Sequence, residues 1–335
     1  MIPPRKVPVT ILTGFLGAGK TTLLNRILQE RHGERIAVIE NEFGAVGVDN
    51  DLLLHDGVEQ IVEMNNGCIC CTVRGDLVRI LGELRQRRQA DLSAFDRIII
   101  ETTGLADPAP VAQTFFIDDD IAGYYTLDAI VTVVDALHAN AQLDGFHEAQ
   151  EQVAFADRIL LSKCDLVSDV QARQLRQRLL RINPRAAVSA VHFGAAPVQD
   201  LLDIAGFSLS SVLEIEPGFL EENAHVHDGA VQSFVFTSMQ PFDAGRLQAF
   251  FRQAIAGHAA DLMRYKGIVA VHGMDHRLVI QGVHMVMGSD IGRAWAPGEA
   301  RSSTLVFIGR HLPKARMLVD LAGCIEAQID GLVSA

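Results

Sequence analysis

Cysteine, basic residues and long apolar runs are all scarce in this 335-residue sequence. The five cysteines are odd in number and three of them cluster at positions 68, 70 and 71, which argues for metal or redox chemistry rather than a disulfide framework. No uninterrupted apolar run approaches the ~20 residues of a membrane-spanning helix, so we expect no membrane partner. The N-terminal residues lack the apolar core of a secretory signal, which favours a cytoplasmic protein.

The charge balance is acidic, with 29 Lys and Arg against 41 Asp and Glu and a formal net charge of −12. Nucleic-acid-binding surfaces need a basic patch or stripe, so we expect no nucleic-acid partner, although a local basic site remains open. Hydrophobic residues make up 49% of the chain, which is enough for packed cores. The length predicts roughly two domains.

A glycine-rich segment near the N-terminus is the strongest functional signal. Residues 14–21 match the pattern G-x-x-x-x-G-K-[ST], between an apolar β-rich run and an amphipathic helical pattern. In that context glycines let backbone N–H groups approach phosphates, and the helix N-terminus adds its positive dipole end. Lys20 would reach the β- and γ-phosphates and Thr21 would ligate Mg²⁺. The predicted nucleoside triphosphate site comprises Gly14, Phe15, Leu16, Gly17, Ala18, Gly19, Lys20, Thr21 and Thr22.

Between residues 7 and 205, short apolar runs alternate with longer helical patterns, which predicts an α/β fold of the P-loop NTPase type with a mostly parallel sheet. The predicted strands are 9–12, 36–39, 98–100, 129–134, 159–161 and 187–190, and the predicted helices are 22–28, 77–88, 109–116, 147–155 and 170–182. Polar residues follow these strands, at the edge where open α/β sheets bind ligands. Asp135 is either a sheet-end acid or part of the nucleotide pocket, and we include His192 in the nucleotide site.

A break in the pattern predicts a second domain. Residues 207–228 have no clean period and contain four glutamates, so we interpret them as an acidic linker between domains at 1–206 and 229–330. The second domain is predicted to be a small α+β domain with an antiparallel sheet. Its predicted strands are 231–237, 268–271, 277–283 and 303–308, and its predicted helices are 243–256 and 314–328.

The residues Ser162, Lys163 and Asp165 follow a later strand of the same sheet and resemble a guanine-recognition motif. A carboxylate at position 165 can accept hydrogen bonds from both N1–H and the exocyclic amine of guanine, and Lys163 would lie along the base. Ser162 departs from the usual Asn, which would weaken the anchoring of the neighbouring loops. We therefore predict GTP rather than ATP.

Four motifs occur together and in order: TGFLGAGKTTLL at 13–24, ENEFG at 40–44, NGCICC at 66–71 and ETTGLADP at 101–108. They resemble the CobW family of metal-handling P-loop GTPases, most closely its zinc-metallochaperone branch. The segments RYKG at 264–267 and STLVFIG at 303–309 are similar to the family's second domain. The resemblance implies GTP hydrolysis coupled to the binding or delivery of a transition metal, zinc or in some branches cobalt, to a metalloprotein client.

The resemblance also implies roles for particular residues. Glu101 matches the family's second phosphate and magnesium motif, and the N–H of Gly104 would approach the γ-phosphate. Together with Lys20 and Thr21, these two residues form the predicted catalytic set. We expect the cofactors GTP, Mg²⁺ and Zn²⁺ or another late transition metal.

The predicted transition-metal site combines thiolates, which are soft ligands that suit zinc, with a carboxylate. Cys68 and Cys70 point the same way in an extended segment, whereas Cys71 points elsewhere unless the loop bends. Glu40 matches the acid that opens the family's switch motif. That motif often continues as Gly-Glu but here has Ala45, so one ligand or switch acid is missing and Glu42 is the candidate to compensate.

Other interpretations stay open at this stage. The three clustered cysteines could be buried or redox-active residues, since thiol clustering alone does not specify a metal. His225 and His227 form a candidate secondary capture site. The function could also be that of a nucleotide- and metal-dependent sensor with little turnover, or of a cofactor-assembly factor of the cobalt or nitrile-hydratase type. A small-molecule kinase is a weaker alternative.

Overall fold

A computed structural model describes residues 6–30, 33–42, 60–65, 71–192, 201–202, 204 and 231–325, with only the backbone of 41–42, 60–65 and 71–74. The chain divides into two units, Met1–His225 and Val226–Ala335. The predicted linker at 207–228 and the histidines 225 and 227 lie outside the described residues. The domain boundaries therefore stay a prediction.

The first unit is built on a seven-stranded sheet in which all paired strands are parallel. The sheet order is β3-β2-β4-β1-β5-β6-β7, so the strand that leads into the glycine-rich loop lies at its centre. The strands are β1 (Val7–Gly14), β2 (Ile36–Glu42), β3 (Gln60–Asn65), β4 (Arg97–Glu101), β5 (Tyr125–Asp135), β6 (Arg158–Ser162) and β7 (Ala187–Ala190). Long buried runs in β1 and β5 are typical of parallel strands covered on both faces.

Helices follow most of these strands and bury their apolar faces against the sheet. They are α1 (Lys20–Gln29), α2 (Cys71–Gln89), α3 (Ala109–Ile117), α4 (Asp119–Tyr124), α5 (Ala139–Gly145), α6 (His147–Phe155) and α7 (Asp169–Ile182). In α1, Leu23, Leu24 and Ile27 are the buried residues, as their helical spacing predicts. Helix α7 begins with a capping box between Ser168 and Gln171.

The second unit has a five-stranded antiparallel sheet in the order β11-β10-β9-β12-β8. Its core is aromatic, with Phe307 stacked on Phe234, Phe251 and Tyr265. The elements in chain order are β8 (Gln232–Ser238), α8 (Ala244–His258), β9 (Leu262–Val269), β10 (His276–Val283), β11 (Val286–Ala294), β12 (Ser303–Gly309) and α9 (Lys314–Ala322).

The predicted fold class is confirmed, and the differences have local causes. Strand β11 was not predicted because it is a largely exposed edge strand that contains glycines and polar residues. The last helix ends at Ala322 rather than at 328, since the chain then pairs with the start of α8: the carbonyl of Cys324 accepts the N–H of Asp243 at 2.9 Å. Cys324 itself is buried in the core, as expected.

A buried ion-pair network lies near the amino ends of the strands, opposite the glycine-rich loop. The side chain of Arg97 is fully buried, and it donates to Asp128 in β5 and to Glu34, both at 2.9 Å. Thr10 in β1 also donates to Asp128, at 3.4 Å. The network joins three adjacent central strands, β4, β1 and β5, through the carboxylate of Asp128, which accepts from both Arg97 and Thr10.

Replacing Arg97 with Met should lower the free energy of unfolding of the first unit by about 3–5 kcal/mol, because the buried Asp128 carboxylate loses its charged partner. The pair Arg35–Asp96 is the matched control, since its side chains are 48% and 39% exposed. Arg35→Met should have a far smaller effect, because water solvates the remaining carboxylate. Urea unfolding followed by circular dichroism measures both, and equal losses would contradict the prediction.

Candidate functional site

The glycine-rich loop follows β1 and is held close to the neighbouring strand β5. Gly14 has a φ of 143°, and a Cβ at this position would lie 2.3 Å from the carbonyl oxygen of Val133, so a side chain cannot fit. Gly19, with a φ of 101°, leads directly into α1. Lys20, the first residue of α1, donates its ammonium group to the carbonyl of Gly14 at 3.0 Å. This bond ties the lysine head group back to the residue at which the loop begins.

Thr21 and Glu101 are brought together across the carboxyl ends of the sheet. The hydroxyl of Thr21 donates to Oε1 of Glu101 at 3.1 Å. The next residue, Thr102, is buried and donates its hydroxyl to that of Thr13 at 2.8 Å, which joins β4 to β1. A hydroxyl beside a carboxylate is an oxygen donor set of the kind that Mg²⁺ takes, so the residues present fit this ion.

The segment after Glu101 packs directly on the glycine-rich loop. A Cβ on Gly104 would lie 2.6 Å from the backbone nitrogen of Leu16 and 2.7 Å from its Cα. Only glycine allows this approach of two backbones. Gly104 thus lies beside the loop that is predicted to hold the phosphates.

The predicted guanine motif is anchored to the same loop by two side chains. The hydroxyl of Ser162 donates to the carbonyl of Ala18 at 2.7 Å, so the departure from Asn keeps an anchor here. The ammonium group of Lys163 donates to the carbonyl of Gly17 at 2.8 Å and to Oδ2 of Asp135 at 2.7 Å. These bonds hold the strand ends β5 and β6 against the loop.

Asp135 is a buried carboxylate, 2% exposed. The sequence leaves open whether it is a sheet-end acid or part of the nucleotide pocket. Besides Lys163, it accepts the N–H of Leu137 at 2.9 Å, and its Oδ2 lies 2.9 Å from Nδ1 of His138. Burial alone would raise the pKa of Asp135, but the hydrogen bonds from Lys163, His138 and Leu137 outweigh it and hold the pKa below its ordinary value. The structure thus connects Asp135 to the predicted nucleotide-binding residues.

Asp165 and His192 lie side by side at the rim of this region. Asp165 is in the short 3₁₀ turn Cys164–Leu166, and its Oδ1 is 3.7 Å from Nδ1 of His192. The Asp165 carboxylate is partly exposed, as a group that reads a base must be. Burial raises the pKa of the neighbouring Cys164 thiol, with a further contribution from the charge of Asp165, which fits a packing role for this cysteine.

Only part of the predicted transition-metal site falls in the described residues. Glu40 is buried in β2 and is register-paired with Glu101 in β4, so the two carboxylates occupy neighbouring positions of the sheet. Cys71 is the first residue of α2, whereas Cys68, Cys70 and Ala45 lie outside the described ranges. Among the residues that the structure describes, no group of three or more His, Cys, Asp or Glu side chains could hold a metal ion.

One residue of this region was missed from the sequence. Gln152 in α6 is 1% exposed, and its side-chain amide donates to the carbonyls of Gly104 and Ala106, both at 3.1 Å. A glutamine inside a helix carries no distinctive pattern, so nothing in the sequence indicated this contact.

In the described ranges no helix is long and apolar enough to cross a lipid bilayer.

A parallel sheet with G-x-x-x-x-G-K-T between its central strand and the following helix defines a P-loop NTPase-type nucleotide-binding protein. Residues 8–190 match the family model described as CobW/HypB/UreG, nucleotide-binding domain. Residues 231–325 match the cobalamin synthesis protein cobW C-terminal domain. The chain belongs to the CobW family, and the resemblance noted in the sequence is confirmed.

Proteins of similar sequence match this chain over nearly its full length. The zinc chaperone YjiA of Escherichia coli strain K12 is 42% identical over 318 residues, covering 95% of this chain and 98% of that protein. The zinc chaperone CobW of a Sinorhizobium species is 36% identical, covering 91% and 93%. A crystal structure of zinc-bound YjiA GTPase from E. coli matches with a TM-score of 0.78 and 37% identity, over 96% of this chain and 100% of that chain.

Replacing Asp135 with Asn should lower the free energy of unfolding at neutral pH, because the amide cannot balance the charge of Lys163. Since the folded-state pKa of Asp135 is lowered, its contribution is complete above about pH 4 and is lost as the pH falls through that pKa. The difference in urea midpoint between wild type and variant should therefore shrink as the pH falls below about 4. Asp144→Asn, at an exposed carboxylate paired with Arg178, is the control. A difference that does not change with pH would contradict this assignment.

Proposed function

We propose that the protein is a GTPase that binds a transition-metal ion, zinc in the first instance, and couples its binding or transfer to a metalloprotein client to the nucleotide cycle. The observation that carries the proposal is the register of β2 and β4, in which Glu40 neighbours Glu101. Glu101 in turn accepts the hydroxyl of Thr21, the last residue of the phosphate-binding motif. This adjacency of Glu40, the proposed ligand of the metal cargo, and Glu101, the proposed nucleotide-site carboxylate, supports a coupling between the two sites.

The choice of guanine rests on Asp165. Its partly exposed carboxylate has two acceptor oxygens, which match the two donors on the edge of guanine and mismatch the edge of adenine. Lys163 and Ser162, on either side of the strand end, are bonded to carbonyls of the phosphate-binding loop. The base reader and the phosphate cradle are thereby held as one unit, as GTP recognition requires.

In the proposed hydrolysis, Lys20 stabilises negative charge on the transferred phosphoryl group, and the N–H of Gly104 donates to the γ-phosphate. Thr21 and Glu101 are the residues that would hold Mg²⁺, which when bound neutralises phosphate charge. The zinc ion is cargo: Glu40 and the thiolates of Cys68, Cys70 and Cys71 are its proposed ligands. With only two of these thiolates bound beside the carboxylate, a fourth position stays open, which suits a carrier better than a sealed structural site.

Replacing Asp165 with Asn should weaken GTP binding by roughly 1–3 kcal/mol, because the amide presents a donor where guanine also has one. The same change should improve the binding of xanthosine triphosphate, whose extra carbonyl accepts that donor. Direct titration of both nucleotides measures this change in base preference. An unchanged affinity for GTP would reject Asp165 as the base reader.

Replacing Lys20 with Ala should nearly abolish GTP hydrolysis, because Lys20 is the proposed group that stabilises charge on the transferred phosphoryl group. Steady-state GTP turnover measures the effect. Turnover at the wild-type rate would reject the phosphate-cradle assignment.

Zinc should bind more tightly in the presence of a non-hydrolysable GTP analogue than with GDP, by ~1–3 kcal/mol. Linkage then requires that zinc strengthen binding of the analogue by the same factor. Competition titration of the reduced protein against a zinc-binding dye measures the coupling. The double variant Cys68→Ser, Cys70→Ser should remove both the tight site and the coupling, whereas Cys324→Ser, in the core of the second unit, should keep them. Equal zinc affinity in the two nucleotide states of the wild type would leave a GTPase without the proposed metal coupling.

A further inference from the structure

Gln152 is a buried polar side chain to which the proposed hydrolysis assigns no role. It lies in α6, which follows β5, and it is not part of any of the four motifs that identify the family. Its amide nitrogen lies 3.1 Å from the carbonyl oxygen of Gly104 and 3.1 Å from that of Ala106. Because both neighbours are carbonyl oxygens, the group that faces them must be the NH₂ group, which has two protons to donate.

The helix that carries Gln152 is itself fixed to the sheet. Thr132, buried in β5, donates its hydroxyl to the backbone carbonyl of Gln152 at 2.7 Å. The ring of Phe146, next to the start of α6, lies 4.8 Å from that of Phe15 in the phosphate-binding loop. The amide of Gln152 is therefore presented from a rigid support, and the 104–106 segment is the part that it holds.

The other side of this segment meets the phosphate-binding loop. Gly104 packs against the backbone of Leu16 so closely that no side chain fits between them. The turn is closed by a hydrogen bond from the N–H of Ala106 to the carbonyl of Thr103, at 3.1 Å. Gly104 is thus held between Leu16 on one side and the amide of Gln152 on the other.

We propose that Gln152 is a positioning residue that holds Gly104 on the phosphate-binding loop and so sets the preference of the site for GTP over GDP. This inference rests on the proposed function, in which the N–H of Gly104 contacts the γ-phosphate. A donor that is held in place before the nucleotide binds costs little ordering entropy when it binds, whereas a free segment must be ordered at that moment. GDP has no γ-phosphate and gains nothing from the restraint.

The test compares two variants of Gln152 with a control on the same helix. Gln152→Met keeps the length of the side chain and removes both donors, and Gln152→Glu keeps its shape but replaces the NH₂ group with oxygen. Gln150→Met is the matched control, because Gln150 donates to the carbonyl of Leu143 at 2.8 Å and, within the part of the chain that the structure describes, makes no hydrogen bond to the 104–106 segment. Calorimetric titration with GDP and with a non-hydrolysable GTP analogue gives the affinity ratio, and thermal unfolding reports on stability.

We expect both Gln152 variants to lose about tenfold in affinity for the GTP analogue, the effect of one or two net hydrogen bonds, while the affinity for GDP stays within about twofold. Gln150→Met should leave the ratio of the two affinities at the wild-type value at a similar thermal midpoint. A purely structural role for Gln152 would lower both affinities together and overturn the inference, as would an unchanged ratio. If the wild type binds neither nucleotide, the proposed function fails and this inference fails with it.

Discussion

The arrangement of the first unit depends on the hydrogen bonds that neighbouring elements donate to the carbonyl groups of the phosphate-binding loop. A loop that turns its N–H groups inward to bind phosphate turns carbonyls outward, and these need donors. Ser162 and Lys163 supply donors to Ala18 and Gly17, and the ammonium of Lys20 supplies one to Gly14. Whatever their role toward a base, Ser162 and Lys163 of the predicted guanine motif therefore complete the hydrogen bonding of the loop.

Buried charged side chains lie at both ends of the sheet, and their partners differ in exposure. At the amino ends, Arg97 is fully buried between Asp128 and Glu34 and forms an ion pair with each of them. At the carboxyl ends, the buried carboxylate of Asp135 is bonded to Lys163, whose side chain is 37% exposed. In the proposed GTP site, the methylene chain of Lys163 would lie along the base while its ammonium group stays bonded to Asp135.

The sequence predicted the sheet well because its strands are specified locally. The buried strands read as apolar runs, and the motif at 14–21 places its own residues around one loop. What it could not predict was set by contacts between distant segments. Gln152 meets Gly104 across 48 positions, and α9 ends early where the carbonyl of Cys324 accepts the N–H of Asp243, the residue before α8. The strand β11 was missed because an edge strand has no buried face to impose alternation.

The register of β2 and β4 also gives a physical reason for the proposed coupling to have a positive sign. Glu40 and Glu101 are paired across adjacent strands, so their charges act on the same small region. A bound GTP carries one more phosphate than GDP and so leaves more negative charge beside Glu101, even when Mg²⁺ neutralises part of it. Because Glu40 is buried, that added charge is screened less than at the surface, and it favours a second cation at Glu40. Loss of the γ-phosphate would remove this attraction and weaken the hold on the metal, which is what release to a client requires.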